Sequence, residues 1–161
     1  EYVKNICRNY ENKKIYPKKL YNHKCRFNNS DDIKIYTLLK AGAGLISKEN
    51  EEALKLVKYD IGVGENTKKD SKSFTDKYFK LDPYKPSRTI VAHLNRDNNG
   101  YVHYGKNPRG ISPREAARIQ SFPDWYKFEG PITTQYKQIG NAVPPLLAEV
   151  IANAIKEFNK L

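Results

Sequence analysis

The stretch QIGNAVPPLLAEVIANAI at residues 138–155 constrains the fold more than any other part of this sequence. Pro144 and Pro145 fix the backbone angle that a first helical turn requires, and neither proline fits inside a helix. Apolar side chains then recur at spacings of three and four, which predicts an amphipathic helix. They are Leu147, Val150, Ile151, Ala154, Ile155 and Phe158. The apolar stripe of that helix requires a docking surface.

The turn before this helix has the sequence Gly140-Asn141-Ala142-Val143. Glycine permits a close backbone approach or a positive φ, and an asparagine amide can both donate and accept hydrogen bonds. Two interpretations remain open on these residues alone. The turn either contacts a ligand or is a simple helix N-terminus without one.

A second helix is predicted within ISPREAARIQSFPD, residues 111–124. Ser112 suits the N-cap, Pro113 the first helical position and Glu115 the third, so a capping box is predicted, and Pro123 ends the helix. The polar residues of this block are Arg114, Glu115, Arg118 and Gln120. They either hold neighbouring segments in place or belong to a capped surface helix whose arginines face solvent. The small apolar face of the helix favours the first interpretation.

The upstream part of the chain mixes helical and strand-like patterns. A helix is expected from Ser30 as N-cap to Gly42 as stop, and a shorter one over residues 47–58. Residues 61–73 are expected to form a polar loop. Residues 89–94 and 101–104 carry β-branched and aromatic side chains around a five-residue turn, which predicts a β-hairpin.

Charge and composition favour a polyanionic partner. The chain has 29 basic and 18 acidic residues, a net charge of +11, and 12 tyrosines. No apolar run reaches the ~18–20 residues of a membrane helix, so a cytoplasmic protein without membrane contact is expected. Cys7, His23 and Cys25 lack a fourth ligand, and no metal site is predicted. The missing Met and the initial Glu1 favour a piece of a longer polypeptide.

Two blocks, ISPREAARIQSFPDWYKF and QYKQIGNAVPPLLAEVIANAI, closely resemble the last two conserved blocks of the DNA cytosine-5 methyltransferases, in order and at the right spacing. The segments KPSRTIVAHLNRDNNGYVHY, FTDKYFKLDPYKPS and NHKCRFNNSDDIKIYTLLKAG are similar to parts of the target-recognition region in a bacterial branch of that family. The resemblance covers nearly the whole chain from about residue 22.

The resemblance implies roles for particular residues. Asn141, Ala142 and Val143 would line a pocket for S-adenosylmethionine. Contacts to the phosphates of double-stranded DNA would come from Arg88, Thr89, Arg96 and Arg109. Arg114, Glu115, Arg118 and Gln120 would hold the recognition region in place.

The resemblance also shows what this sequence lacks. The family's nucleophile lies in a Pro-Cys dipeptide and its carboxylate in a Glu-Asn-Val block, and neither occurs here. The chain alone is therefore expected to be inactive. It is either the C-terminal portion of a full-length bacterial restriction-modification methyltransferase or one subunit of a split enzyme. The missing start Met favours the first, and self-association through the last helix is also expected.

Two other classes of function remain. A stand-alone sequence-specific DNA-binding module fits the charge but leaves the last helix without a surface, and an RNA-binding protein rests on charge alone. The expected fold is mixed α/β. Residues 1–136, including the helix at 112–123, would form an irregular β-rich recognition domain. Residues 137–161 would complete a Rossmann-like methyltransferase domain.

Overall fold

The computed structural model describes residues 18–57 and 77–160, which fall into two compact units. The helical unit contains residues 18–24, Ile90–Asn95 and 112–160. The loop unit contains residues 25–57, 77–89 and Arg96–Ile111. The predictions for Cys7 and for the polar loop at 61–73 lie outside the described residues.

Five α-helices lie within the described residues. They are α1 (Ser30–Leu38), α2 (Glu51–Lys55), α3 (Pro113–Ile119), α4 (Ile132–Gly140) and α5 (Pro145–Phe158). Short 3-10 helices cover Lys48–Asn50 and Asn98–Gly100. The first two α-helices belong to the loop unit and the other three to the helical unit.

The helix α1 begins one residue earlier than the sequence predicted. Asn29, not Ser30, is the N-cap: its side chain accepts a hydrogen bond of 2.7 Å from the Asp32 amide. Both residue types suit this position, so the pattern alone does not choose between them. The helix ends at Leu38, four residues before Gly42, whose φ of +77° forms a later turn.

The core of the loop unit is built around two buried tyrosines. The rings of Tyr36 and Tyr78 lie 6.0 Å apart, and the Tyr36 hydroxyl donates to Asn99 at 2.6 Å. The Tyr78 hydroxyl donates to Asp32 at 3.0 Å, so both buried hydroxyls are satisfied. The aliphatic members of this core are Ile35, Leu39, Leu45, Ala53 and Val102.

The prediction of a β-rich recognition domain is wrong for the part of the chain that the structure describes. Residues 18–57 and 77–160 contain no β-strand, only isolated bridges. Val102 pairs with Lys80 on one side and with Gly110 on the other, and Lys80 also pairs with Ala41. Single bridges between loops, extended by backbone hydrogen bonds, replace the expected sheet.

The predicted β-hairpin is also wrong. Residues 92–96 form turns, with Leu94 donating its amide to the Val91 carbonyl at 3.1 Å. Ile90 and Leu94 are buried while the three residues between them are exposed, a spacing of four that does not suit a half-buried strand. The two expected strands also fall into different compact units. Tertiary packing therefore overrides the β propensity of this segment.

The helical unit contains one helix that the sequence did not predict. Residues 129–134, between the two conserved blocks, were expected to form a loop, yet α4 begins among them at Ile132 and continues into the second block to Gly140. Its buried side chains are Tyr136 and Ile139, and α4 packs against α3. Ile132, Tyr136 and Ile139 at spacings of four and three were the available signal.

The last helix agrees with its prediction in position and pattern. Pro144 is the N-cap of α5 and Pro145 its first residue. None of its side chains is buried, and Phe158 is 75% exposed. Among the helices that the structure describes, none has the length and apolar content to cross a membrane.

Candidate functional site

The helix α3 starts with the predicted capping box. The Glu115 amide donates to the Ser112 hydroxyl oxygen at 3.2 Å, and the Ser112 amide donates to Glu115 Oε2 at 2.7 Å. Ser112 also lies 2.9 Å from His23 Nδ1. The capping box thus fixes the start of α3 and joins it to the segment before residue 24.

Arg114 is fully buried in the helical unit, with 0% of its surface exposed. Its guanidinium donates to the carbonyls of Tyr21 and Pro123 at 3.0 Å each and also to the Tyr126 carbonyl. Several carbonyls therefore converge on one cation, which is how a buried charge is tolerated. The segments before α3 and after it are held by this side chain.

A carboxylate completes the charge balance around α3. Asp124 is 1% exposed and accepts two hydrogen bonds from Arg118, from Nε at 2.8 Å and from the terminal nitrogen at 2.6 Å. Arg114 approaches the same carboxylate at 3.9 Å. The two-pronged Arg118 contact has the fork geometry that makes such pairs strong.

Asn22 was not singled out by the sequence but has a similar function. Its side chain donates to the Phe128 carbonyl at 2.8 Å and accepts from the Phe128 amide at 3.0 Å. Its φ of +61° lies in the left-handed region, which asparagine tolerates better than most residues. This tolerance of a left-handed φ is the property of asparagine that could have drawn attention to Asn22 in the sequence.

Gln120, the last of the four block residues, reaches the end of α4. Its amide nitrogen donates to the Ile139 carbonyl at 2.8 Å and lies 3.5 Å from the Ala142 carbonyl. Carbonyls in the last turn of a helix lack intrahelical partners, and Gln120 supplies one. The four block residues therefore all contact segments of the helical unit.

The predicted cofactor turn, residues 141–143, follows α4 directly. Gly140 is the last residue of α4 and does not have a positive φ. A Cβ at this position would lie 2.6 Å from the Val91 carbonyl oxygen and 2.9 Å from that of Ala92. Glycine is therefore required by the close approach of another backbone segment.

The side chains of the cofactor turn are accessible. Asn141 is exposed, Ala142 is half-buried and Val143 is 59% exposed. An amide beside an isopropyl group can bind the polar edge and the flat face of a nucleoside-like ligand. These residues therefore fit part of a binding site for S-adenosylmethionine.

The four predicted DNA contacts all lie in the loop unit. Arg88 stacks over the Phe79 ring, with its guanidinium carbon 4.9 Å from the ring centre. Thr89 has an exposed side chain, and its carbonyl accepts from the Tyr101 hydroxyl. Arg96 is exposed, whereas the half-buried Arg109 donates to the Gly110 carbonyl at 3.1 Å. The cofactor turn belongs instead to the helical unit.

A further cation of the loop unit has a shifted pKa. Burial lowers the pKa of Lys80 below its ordinary value, and the nearby Lys40 ammonium lowers it further. Within residues 18–57 and 77–160, no three His, Cys, Asp or Glu side chains lie close enough to hold a metal ion.

Comparison with known proteins identifies the family. The model of the C-5 cytosine-specific DNA methylases matches residues 1–157. The chain is 53% identical over 87 residues to the type II methyltransferase M.AgeI of Thalassovita gelatinovora, covering 54% of this chain and 20% of that protein. It is 46% identical over 96 residues to M.Bpa9945I of Bacillus paralicheniformis, covering 56% and 21%.

A third relative differs in length. The chain is 38% identical over 105 residues to the type II methyltransferase M.AquIB of Picosynechococcus, covering 58% of this chain and 73% of that protein. The chain thus spans about a fifth of M.AgeI and M.Bpa9945I, but most of M.AquIB. With nearly its whole length matched by the family model, the chain belongs to the C-5 cytosine-specific DNA methylase family.

Proposed function

We propose that this chain provides DNA recognition and completes the S-adenosylmethionine site of a bacterial DNA cytosine-5 methyltransferase of a restriction-modification system. The loop unit would contact duplex DNA, and the helical unit would carry the cofactor turn. The reaction would take place in the cytoplasm, on C5 of a cytosine within a specific duplex site. The nucleophile would come from an upstream catalytic portion, on the same chain or on a partner subunit.

The observation that carries this proposal is the cofactor turn. Gly140 lies against the Val91 and Ala92 carbonyls, and this contact leaves the side chains of Asn141 and Val143 accessible. The Asn141 amide would hydrogen-bond the ligand's polar edge, and the Val143 isopropyl group would pack on its base. S-adenosylmethionine, when bound, supplies the methyl group that is transferred.

The exposed apolar face of α5 supports an enzyme that needs a second part. Leu147, Ile151 and Ile155 are each about half exposed, at 52%, 48% and 56%. An apolar stripe left in water costs free energy that burial against a partner recovers. The catalytic portion would provide that surface. The same face would also explain self-association of this chain when it is alone.

The loop unit supports the DNA-binding half of the proposal. Its cations include Arg88, held over an aromatic ring, and the exposed Arg96. Phosphate contacts from such side chains would position the protein on the duplex, while base contacts would set its sequence preference.

The relatives support either arrangement of the whole enzyme. M.AgeI is far longer than this chain, whereas the 105 matched residues make up 73% of M.AquIB, a polypeptide of comparable size. A family polypeptide can therefore be about as short as this chain. The proposed function is the same whether the catalytic portion precedes this chain or is a separate subunit.

The test is methyl transfer from labelled S-adenosylmethionine to duplex DNA. We expect no transfer by this chain alone, none by the upstream catalytic portion alone, and transfer by the mixture. Methyl transfer by this chain alone would contradict the proposal that the nucleophile comes from the catalytic portion. Cys7→Ser and Cys25→Ser variants would then locate the nucleophile in this chain. A mixture that binds one duplex site but never transfers a methyl group would favour a stand-alone DNA-binding module.

A further inference from the structure

The end of α3 contacts both sides of the cofactor turn. Gln120 and the residue after it, Ser121, bind backbone atoms that precede and follow residues 141–143. We refer to Gln120 and Ser121 together as the turn clamp. Both residues and the turn belong to the helical unit.

Gln120 holds the side of the turn that faces α4. It is 7% exposed, and its amide nitrogen donates to the Ile139 carbonyl at 2.8 Å. The Ala142 carbonyl, inside the turn, is a longer contact at 3.5 Å. A buried amide with a fixed hydrogen bond restricts where the backbone leaves α4.

Ser121 holds the side of the turn that faces α5. Its hydroxyl oxygen accepts a hydrogen bond of 3.2 Å from the Leu146 amide, the first N–H of that helix. Pro144 is the N-cap of α5 and offers no side-chain acceptor, so α5 lacks a cap of its own. Ser121 therefore caps α5 from a distant part of the sequence.

The backbone of Ser121 indicates why a serine occupies this position. Its φ of +61° is left-handed, a conformation that glycine adopts freely and other residues adopt at a cost. Glycine would remove that cost, yet only a side chain with an acceptor can cap Leu146. The unfavourable φ of Ser121 therefore occurs at the same residue as a hydrogen bond that glycine could not make.

We propose that Gln120 and Ser121 are positioning residues that set the backbone path of the cofactor turn and thereby the affinity for S-adenosylmethionine. This inference rests on the proposed function of residues 141–143. The turn clamp binds backbone atoms of the helical unit and is not itself part of residues 141–143. Its loss should raise the KM for S-adenosylmethionine and leave the KM for DNA unchanged, because the predicted DNA contacts lie in the loop unit.

The main test uses Ser121→Gly in the enzyme assembled from this chain and its catalytic portion. Glycine relieves the left-handed backbone, so the fold is not weakened there, and only the cap is lost. We expect amide exchange at Leu146 to accelerate about fivefold and the KM for S-adenosylmethionine to rise about three- to tenfold. Ser121→Asn keeps a side-chain acceptor, and asparagine tolerates the left-handed φ, so this variant should restore part of both.

A matched pair of glutamine variants tests the other half of the clamp. Gln120→Leu removes the bond to Ile139, and Gln138→Leu removes a similar bond of 3.0 Å from α4 to the Glu129 carbonyl. We expect the KM for S-adenosylmethionine to rise in the first variant only. Equal changes in both variants would overturn a specific role for Gln120.

The outcomes separate this inference from the proposed function. Unchanged Leu146 exchange in Ser121→Gly would show that the cap is absent and would overturn the clamp. Faster exchange with an unchanged KM for S-adenosylmethionine, in an active enzyme, would overturn only its link to the cofactor. A wild-type mixture without methyl transfer would overturn the proposed function, and this inference with it.

Discussion

The helical unit and the loop unit are stabilised by different kinds of contact. In the helical unit, buried charged and polar side chains of α3 hold the neighbouring segments, with Arg114 bound to several carbonyls. In the loop unit, two tyrosines form a core between segments that pair through single backbone bridges.

The difference indicates which unit of this chain tolerates substitution less. Buried Arg114 and Asp124 tolerate no change that leaves a charge without a partner, so the residues around them are fixed together. Outside its tyrosine core the loop unit relies mainly on backbone hydrogen bonds, which depend little on the identity of the side chains. We therefore expect the helical unit to be intolerant of substitution and the surface of the loop unit to vary freely.

Arg114→Ala should have the largest effect on stability. It leaves the Tyr21 carbonyl without its Arg114 donor, removes one of two donors to the Pro123 carbonyl and takes a cation away from Asp124, at a cost of about 3–5 kcal/mol. Urea unfolding measures this loss. Arg118→Ala, at a side chain that is 35% exposed, should cost less, about 1–2 kcal/mol. Similar losses in the two variants would contradict the central position of Arg114.

Glycines provide the next comparison, one in each unit. In Gly140→Ala the new Cβ would lie 2.6 Å from the Val91 carbonyl, and in Gly110→Ala it would lie 1.8 Å from Asn98 Oδ1. Each should cost about 2–3 kcal/mol by overpacking. Gly44→Ala is the control, because its nearest contacts are at 3.8 Å and its stability should change by less than about 1 kcal/mol.

If Gly110→Ala proves as mild as Gly44→Ala, the loop unit is more adaptable than its buried Asn98 indicates. That outcome would widen the difference between the units. If Gly140→Ala also has only a small effect on stability, the two units do not differ in their tolerance of substitution.

The third prediction concerns the exposed face of α5. Ile151→Asp places a charge on the apolar stripe and should weaken reconstitution with the catalytic portion about tenfold or more. It should also reduce self-association of the chain in sedimentation. Asn153→Asp adds the same charge outside the stripe and serves as control; an equal loss there would point to helix stability instead of docking.

DNA binding should depend on the loop unit alone. Arg88→Ala and Arg96→Ala should each weaken binding to all duplex sequences and lower the slope of log affinity against log salt by about 1. Lys156→Ala on α5 removes a cation from the helical unit and should leave the slope unchanged. An equal fall of the salt slope in all three variants would show that cations of both units contribute to DNA binding.

The smallest effect is expected at Lys80. Because burial and Lys40 lower its pKa in the folded state, the unfolded chain binds more protons just below the ordinary value of 10.5, and stability rises with pH there. Lys80→Gln should raise the unfolding temperature slightly at neutral pH, and this gain should shrink as the pH approaches 10.5. Lys106→Gln, at an exposed lysine, should show neither behaviour.

The sequence predicted the helical unit better than the loop unit for a physical reason. The capping box at Ser112 and Glu115 and the proline start of α5 are local signals, readable within a few residues. Val102, in contrast, pairs with Lys80 and Gly110, which no local pattern indicates. The β-branched residues at 89–91 suggested a strand, but only Ile90 is buried among them, and that burial depends on contacts that no local pattern indicates.

The candidate site follows the same division. The block residues and Gly140 were identified from their motifs, but the contacts that explain them were not. The Gly140 contact with the Val91 and Ala92 carbonyls spans about fifty residues, and Ser121 caps a helix that begins 24 residues later. Contacts between segments so far apart along the chain leave no periodic pattern of residues in the sequence.

The path of the chain between the two units determines which contacts are exchanged when gene segments recombine. Residues 90–95 belong to the helical unit although the segments on either side of them belong to the loop unit. Gene recombination that exchanges residues 25–111 as one block therefore also exchanges the backbone against which Gly140 lies. Because that contact is made to carbonyl oxygens, a donor needs only the same main-chain path there, and its side chains are free to differ.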